Sequence, residues 1–413
     1  CPDFPTSAQS RLEARAHPTQ NSSMSRPIPS LLEMIAELVA LPSMSSVSPR
    51  FDNGNRLVCE RMAQWLEPLG FQVELQPVGQ DRDKVNLIAR RGNGNGGLVL
   101  SGHTDTVPFD ASRWNSDPFV LTQREGRLYG LGATDMKAFL AMAVEAAYLS
   151  QEARLQAPLV ILATADEESS MQGARALLAD QRRLGRWAVI GEPTCGVPVR
   201  AHKGILMEAI RLVGSPGHSS DPAGGRNALD GMVMLMQDLM QWRDELAHSH
   251  RHEDFPVPYP TLNLGRIEGG DNPNRICPAC ELHIDLRTTP GLGLAEARQT
   301  LHQRLRQVAT KLDLEISFQA LFEGIEAMET SSESALVRAC EQLTGQQASA
   351  VDFGTEGPFL TALGMETVIM GPGDISVAHQ PDEFIALASL NPGMDQLQAL
   401  IQQFCIDPPD PRR

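Results

Sequence analysis

The sequence predicts an α/β protein with a smaller α+β unit inserted in it, and three observations carry that prediction. From Leu31 to about Gly191 helical and strand-like stretches alternate, the pattern of a mostly parallel central sheet covered by helices. After His202 the order becomes strand, helix, two strands, helix, strand, which is the ferredoxin-like arrangement. A last helix, "SALVRACEQLTG", and strand, "TVIMG", then return the chain to the first unit. The expected division is residues 24–203 with 322–413 as one domain and 204–321 as the insert.

The elements follow in order. Residues 1–23 are polar and aperiodic, which predicts disorder, and they lack the apolar core of a signal peptide. Met24 reads as the start of the protein proper. Helices are expected at Leu31–Leu41, Asn55–Leu69, Met136–Ser150 and Met171–Ala179. Strands are expected at "FQVELQP", "KVNLIAR", "GLVLSG", "PLVILAT" and "WAVIG". Val160, Ile161 and Leu162 are consecutive apolar residues, so their strand should be buried on both faces. In the insert, "GILMEAIRLVG", "TLNLGRIEGG", "CELHIDLRTT" and "LEISFQAL" read as strands. "NALDGMVMLMQDLMQWRDEL" and "LAEARQTLHQRLRQVATKL" read as its helices.

Composition narrows the function. A chain of 413 residues, 42% hydrophobic and 21% charged, has the make-up of a soluble globular protein with sizeable cores. A formal charge of −16 argues against nucleic acid or an anionic membrane as partner. No apolar stretch reaches the roughly 18–20 residues that span a bilayer. The seven cysteines are unevenly spaced and do not form a disulfide framework. Cys277 and Cys280 have redox or zinc-knuckle spacing but no second pair, so they read as structural, reduced thiols of a cytoplasmic protein.

The chemistry gathers at strand ends. In a parallel sheet, ligands bind beyond the carboxyl ends of the strands. "GLVLSG" leads to His103 and Asp105, "PLVILAT" to Asp166, Glu167 and Glu168, and "WAVIG" to Glu192. "TVIMG" leads through "PGDISVA" to His379, and Asp135 precedes a helix after "YGLGAT". Taken singly, each has a bland reading: a surface turn for His103, a loop for Glu192, a helix N-cap for Asp135. Their joint placement after successive strands instead suits a dinuclear Zn²⁺ site of imidazole and carboxylate ligands. A carboxylate can bridge two ions, and Asp135, between the other segments, is the expected bridge. Asp105 is placed to hold the far imidazole nitrogen of His103. Neighbouring side chains diverge, so of Glu167 and Glu168 one is expected to ligate and the other to act as general base.

"SGHTDTVPFD", "YGLGATDMKAFLA", "ILATADEESSMQGAR", "IGEPT", "AHKG", "GSPGHSSDP" and "GPGDISVAHQPDEF" resemble the acetylornithine deacetylases. These belong to a dinuclear-zinc amidohydrolase and peptidase family with succinyl-diaminopimelate desuccinylase and many carboxypeptidases. The resemblance runs from about Pro27 to Cys405. It implies a zinc-dependent exopeptidase-like catalytic domain and two Zn²⁺ per subunit, with Co²⁺ a possible substitute. It implies Asp135 as bridge, His103 and Glu192 on one ion, and Glu168 and His379 on the other. Glu167 matches the general base, Asp105 the residue that orients His103, and Asp135-Met136 a peptide that is often cis. The insert matches a lid that carries a homodimer interface. There His218 would reach the partner subunit's site to support an oxyanion, and Asn274 and Arg287 would hold the substrate. Arginine suits a free α-carboxylate through its planar fork.

The implied reaction is removal of the acetyl group from a small N-acyl amino acid, N2-acetyl-L-ornithine, giving L-ornithine and acetate in arginine biosynthesis. Rivals with the same chemistry are deacylases or peptidases acting on N-acetylcitrulline, succinyl-diaminopimelate or a dipeptide. A non-catalytic binding protein would have lost a ligand or Glu167, and neither is missing.

Overall fold

The computed structural model describes residues 26–94 and 96–409, so the expected disordered leader and Met24 lie outside the described residues. Ser30 and Glu33 cap each other's backbone at the start of α1, Leu31–Val39, which with α2, Arg56–Leu66, lies before the sheet. The strands of the first half are β1 Gln72–Val78, β2 Asp81–Arg91, β3 Leu98–His103, β4 Thr122–Arg124 and β5 Arg127–Tyr129. Helix α3, Ala138–Leu149, precedes β6 Leu159–Thr164, and α4, Gln172–Ala179, precedes β7 Trp187–Pro193 and β8 Val199–His202.

The insert supplies β9 Gly204–Val213, α5 Ala228–Ser249, β10 Thr261–Gly269, β11 Ala279–Thr288, α6 Leu294–Lys311 and β12 Glu315–Ile325. The chain then returns through β13 Met328–Glu329, α7 Ala335–Thr344, β14 Ser349–Val351 and α8 Gly357–Ala362. It closes with β15 Glu366–Gly371, β16 Phe384–Ala386 and α9 Leu387–Ile401.

The main sheet has the order β1-β2-β6-β3-β7-β15-β8-β13, with β14 also on β8. Its centre, β6-β3-β7-β15, is parallel, while β1, β2, β8 and β13 pair antiparallel at the flanks. β3, β6 and β7 are buried along their whole length. Leu159, Ile161 and Ala163 join the core under α1, α3 and α9, while Val160 and Leu162 join the core under α4 and α8. That is why the run is apolar at every position rather than at alternate ones.

The four strands of the insert form a separate antiparallel sheet, β10-β11-β9-β12, with α5 and α6 packed on one face around their own apolar cluster. Cys277 and Cys280 are buried free thiols in that cluster. β12 continues to Ile325, past the boundary expected at residue 321. A third, three-stranded sheet, β16-β5-β4, was not foreseen. Helix α3 begins at Ala138 rather than Met136, because Asp135 (φ −126°, ψ 89°) and Met136 (φ −138°, ψ 37°) are not helical. No helix among the described residues is long and apolar enough to cross a membrane.

Candidate metal centre

The parallel strands end on one rim, and the rim is where the acids and histidines collect. β3 ends in His103, β6 leads into Asp166-Glu167-Glu168, and Glu192 lies within β7. Asp135 comes from the loop ahead of α3 and His379 from the loop after β15. Asp166 and His379 both stand at a φ of 59°, a costly conformation for residues with a Cβ and one that clusters at functional sites.

Asp135 is the hub. Its Oδ1 lies 2.9 Å from His103 Nε2 and its Oδ2 lies 3.3 Å from His379 Nε2. Glu168 Oε1 is 2.9 Å from His379 Nε2 on one side, and Glu192 Oε1 is 3.9 Å from His103 Nε2 on the other. Ligand atoms of His103, Glu167 and Glu192 fall within 4.8 Å of one another, as do those of His103, Asp135 and Glu168. The Asp135–Met136 peptide is cis.

His103 is 1% exposed, and its Nδ1 donates to the carbonyl oxygen of Asp105 at 2.9 Å. The Asp105 carboxylate is farther, at 3.7 Å, and its Oδ2 accepts instead from the amide of Glu168 at 3.0 Å. Asp105 thus touches His103 chiefly through its backbone. Either way Nδ1 carries a hydrogen, and Nε2, which is hydrogen-bonded to Asp135 Oδ1, is the nitrogen left to face a metal ion.

The three consecutive acids have separate environments. Lys84 Nζ sits 2.7 Å from Asp166 Oδ1, and Ser45 Oγ donates to the same oxygen at 2.8 Å. Among the described residues, no lysine or arginine pairs with Asp135, Glu167, Glu168 or Glu192. Burial, and then the neighbouring Glu192 carboxylate, push Glu167 well above the usual range. Burial and then Asp135 do the same to Glu192. Burial opposes charge on His103, but the bond to Asp135 and the surrounding carboxylates outweigh it. Asp135 and Glu168 raise His379 to about 10. A cradle of carboxylates with two imidazoles and no paired side-chain cation is short of positive charge. Its donor set fits a pair of divalent ions, which would reverse those shifts.

The structure does not bring every expected residue to this rim. His218 is exposed in the turn after β9, where its Nδ1 accepts from Ser220 and it bridges Arg275. The carbonyl of Asn274 accepts from the amide of Ser219 at 3.1 Å, so His218 and Asn274 share one corner of the insert. Arg287, on β11, is held by Asp285 at 2.9 Å and lines a groove with Pro256 and residues 350–353. No hydrogen bond or ion pair among the described residues joins these three to the cradle.

Two further acids were missed. Glu356 is 2% exposed, accepts from Thr164 Oγ1 at 2.8 Å and has no partner for its other oxygen among the described residues. It stands in "FGTEGPF", a stretch that reads as a turn offering backbone donors. Glu383, also 2% exposed, accepts three backbone N–H groups from the loop that carries Asp135. Its one signal is an acid shortly after His379 in "AHQPDEF".

Comparison with known proteins adds to this geometry. Residues 99–403 match the sequence model of Peptidase family M20/M25/M40. The chain is similar to an acetylornithine deacetylase of Pasteurella multocida (strain Pm70), with 47% identity over 92% of this chain and 99% of that one. It is similar to the acetylornithine deacetylase of Proteus mirabilis (strain HI4320), with 46% identity over 92% and 98% of the two chains. Among solved structures it shares its fold with a metallo-carboxypeptidase from Sulfolobus solfataricus at TM-score 0.71 and 18% identity, covering 91% and 99% of the chains. A dinuclear metal binding peptidase from Bacillus subtilis aligns at TM-score 0.63 and 17% identity, covering 90% and 97%.

Proposed function

The chain belongs to Peptidase family M20/M25/M40, and from that premise we propose that it hydrolyses N2-acetyl-L-ornithine to L-ornithine and acetate. The observation that carries the reading is Asp135, whose two oxygens face two histidines, with Glu192 and Glu168 beside them. His103, Asp135 and Glu192 would hold one ion, and Asp135, Glu168 and His379 the other. Two Zn²⁺ there, or Co²⁺ in their place, would polarise the acetyl carbonyl and lower the pKa of the attacking water.

The rest falls to the protein's own groups. Glu167 stands at the rim with no paired side-chain cation, so its carboxylate is free to take the proton from the attacking water. The C–N bond of the tetrahedral adduct then breaks, and Glu167 returns that proton to the departing α-amine. Asp105 orients His103 through the bond at Nδ1. His218 of a second copy supports the oxyanion, and Asn274 and Arg287 hold the substrate, Arg287 by its α-carboxylate. The exposed position of His218, away from its own chain's cradle, supports assigning it to a partner in a homodimer.

The test is acetate release by the Zn²⁺-loaded protein from N2-acetyl-L-ornithine, beside N-acetyl-L-citrulline and succinyl-diaminopimelate. Turnover should favour acetylornithine and fall on the order of 10²–10⁴-fold in Glu167→Ala. Preference for another acyl amino acid would move the substrate and keep the mechanism. No turnover of any by metal-loaded protein would overturn the reading.

A further inference from the structure

The short sheet β16-β5-β4 sets two loops side by side. β5 leads into the loop with Asp135, and β16 follows the loop with His379. Phe384 pairs with Tyr129 across the two strands, so the residue before Phe384 faces the residues after Tyr129. That residue is Glu383. Its carbonyl accepts from Gly130 at 3.1 Å, and its side chain reaches beneath the loop.

There the carboxylate meets three backbone donors. Oε2 accepts from Gly132 at 2.9 Å, and Oε1 accepts from Thr134 at 2.8 Å and from Asp135 itself at 3.1 Å. The intervening amide, Ala133, donates to the carbonyl of Gly130 at 3.0 Å. Every N–H from 132 to 135 is therefore bound, three of the four by one side chain. The geometry also selects Gly132: its φ is +76°, and a Cβ there would lie 2.7 Å from Thr106 Cγ2.

We propose that Glu383 is the positioning residue of the Asp135 carboxylate. By holding Asp135's own amide together with those of Gly132 and Thr134, it fixes the direction in which the two Asp135 oxygens point. Because Glu383 lies on the same segment as His379, one side chain couples the loops that face each other across Asp135. Carboxylates accept N–H groups more strongly than neutral acceptors do, which suits a loop that must not rotate. Glutamine cannot replace it: with its oxygen toward Thr134 and Asp135, its amide nitrogen would oppose the N–H of Gly132.

This inference rests on the metal reading above. Zn²⁺ would be titrated calorimetrically into metal-free wild type, Glu383→Gln and Glu383→Asp, and Co²⁺ absorption spectra recorded for each. Glu383→Gln should weaken both ions roughly 10–100-fold, since Asp135 serves both, and alter the Co²⁺ spectrum. Glu383→Asp keeps the charge on a shorter arm and should recover part of the affinity. Wild-type affinity and spectrum in both variants would overturn the proposal, even if the metal-free variants melt earlier, since that leaves only a structural role. Should Glu383→Gln not fold, Glu383→Asp decides alone by the same two readouts. Failure of the wild type itself to take up metal would sink the metal reading, and this proposal with it.

Discussion

His202 shows how far one side chain can depart from its behaviour in water. It ends β8 with no exposed surface, its Nδ1 donates to the carbonyl of Lys203 at 2.8 Å, and its Nε2 has no partner among the described residues. Burial pushes its pKa down from 6.5 to about 4, against that bond to Lys203. The folded value lies below the unfolded one, so as pH falls the unfolded chain takes up the proton first. This contribution to stability is complete above pH 6.5, is lost between 6.5 and about 4, and is level below. The full loss is roughly 3 kcal/mol at one pKa unit per 1.36 kcal/mol. Urea unfolding of wild type and His202→Gln at steps from pH 7.5 to 4 isolates the term from other groups that titrate in the same range. The wild type should lose stability faster on acidification. Parallel lines would mean that His202 is not held neutral. Neither this burial nor the pairing of Asp166 with Lys84 was legible in sequence: the burial of His202 comes from tertiary packing around β8, and Asp166 and Lys84 stand 82 positions apart in the chain.

At the scale of elements, the fit of α3 against β7 depends on Gly191. A Cβ at Gly191 would sit 2.0 Å from Phe139 Cγ, in a ring that is 1% exposed. The next residue is Glu192, and α3 follows the loop of Asp135, so this contact spaces two of the metal-site segments. Gly191→Ala should cost about 1–3 kcal/mol by overpacking, and Phe139→Leu in the same chain should recover part of it. A double-mutant cycle from denaturant unfolding checks this, and simple additivity would refute the contact. The strands that deliver the site were legible because β3, β6 and β7 each open with a run of consecutive apolar residues. The sheet β16-β5-β4 was not, because each strand has three residues and Thr122–Arg124 shows no apolar face. With it went Glu383. Helix α9 was missed for another reason: Pro392 and Gly393 stand inside it and read as a turn.

At the scale of the whole molecule, the insert hangs on two crossings, one at Lys203–Gly204 and one at Ile325–Met328. Lys203, 2% exposed, sits at the first with Nζ 3.0 Å from Asp352 and 3.1 Å from the carbonyl of Tyr259. It therefore ties the insert to the main unit where the chain passes between them. Beyond the crossings, the corner with His218 and Asn274 makes no bond to its own chain's cradle. If that corner serves a partner's site, catalysis is shared, and two inactive variants should complement each other. A His218→Ala subunit keeps Glu167, and a Glu167→Ala subunit keeps His218. A mixed dimer then has one complete site: the Glu167 of the first subunit with the His218 of the second. Random pairing of equal amounts makes half of the dimers mixed, so co-refolding should recover roughly a quarter of wild-type acetate release. The quantity to follow is that recovery against each variant refolded alone, with sedimentation reporting the dimer. No recovery from a mixed dimer would place His218 in its own subunit's site, reached by a swing of the insert about the two crossings.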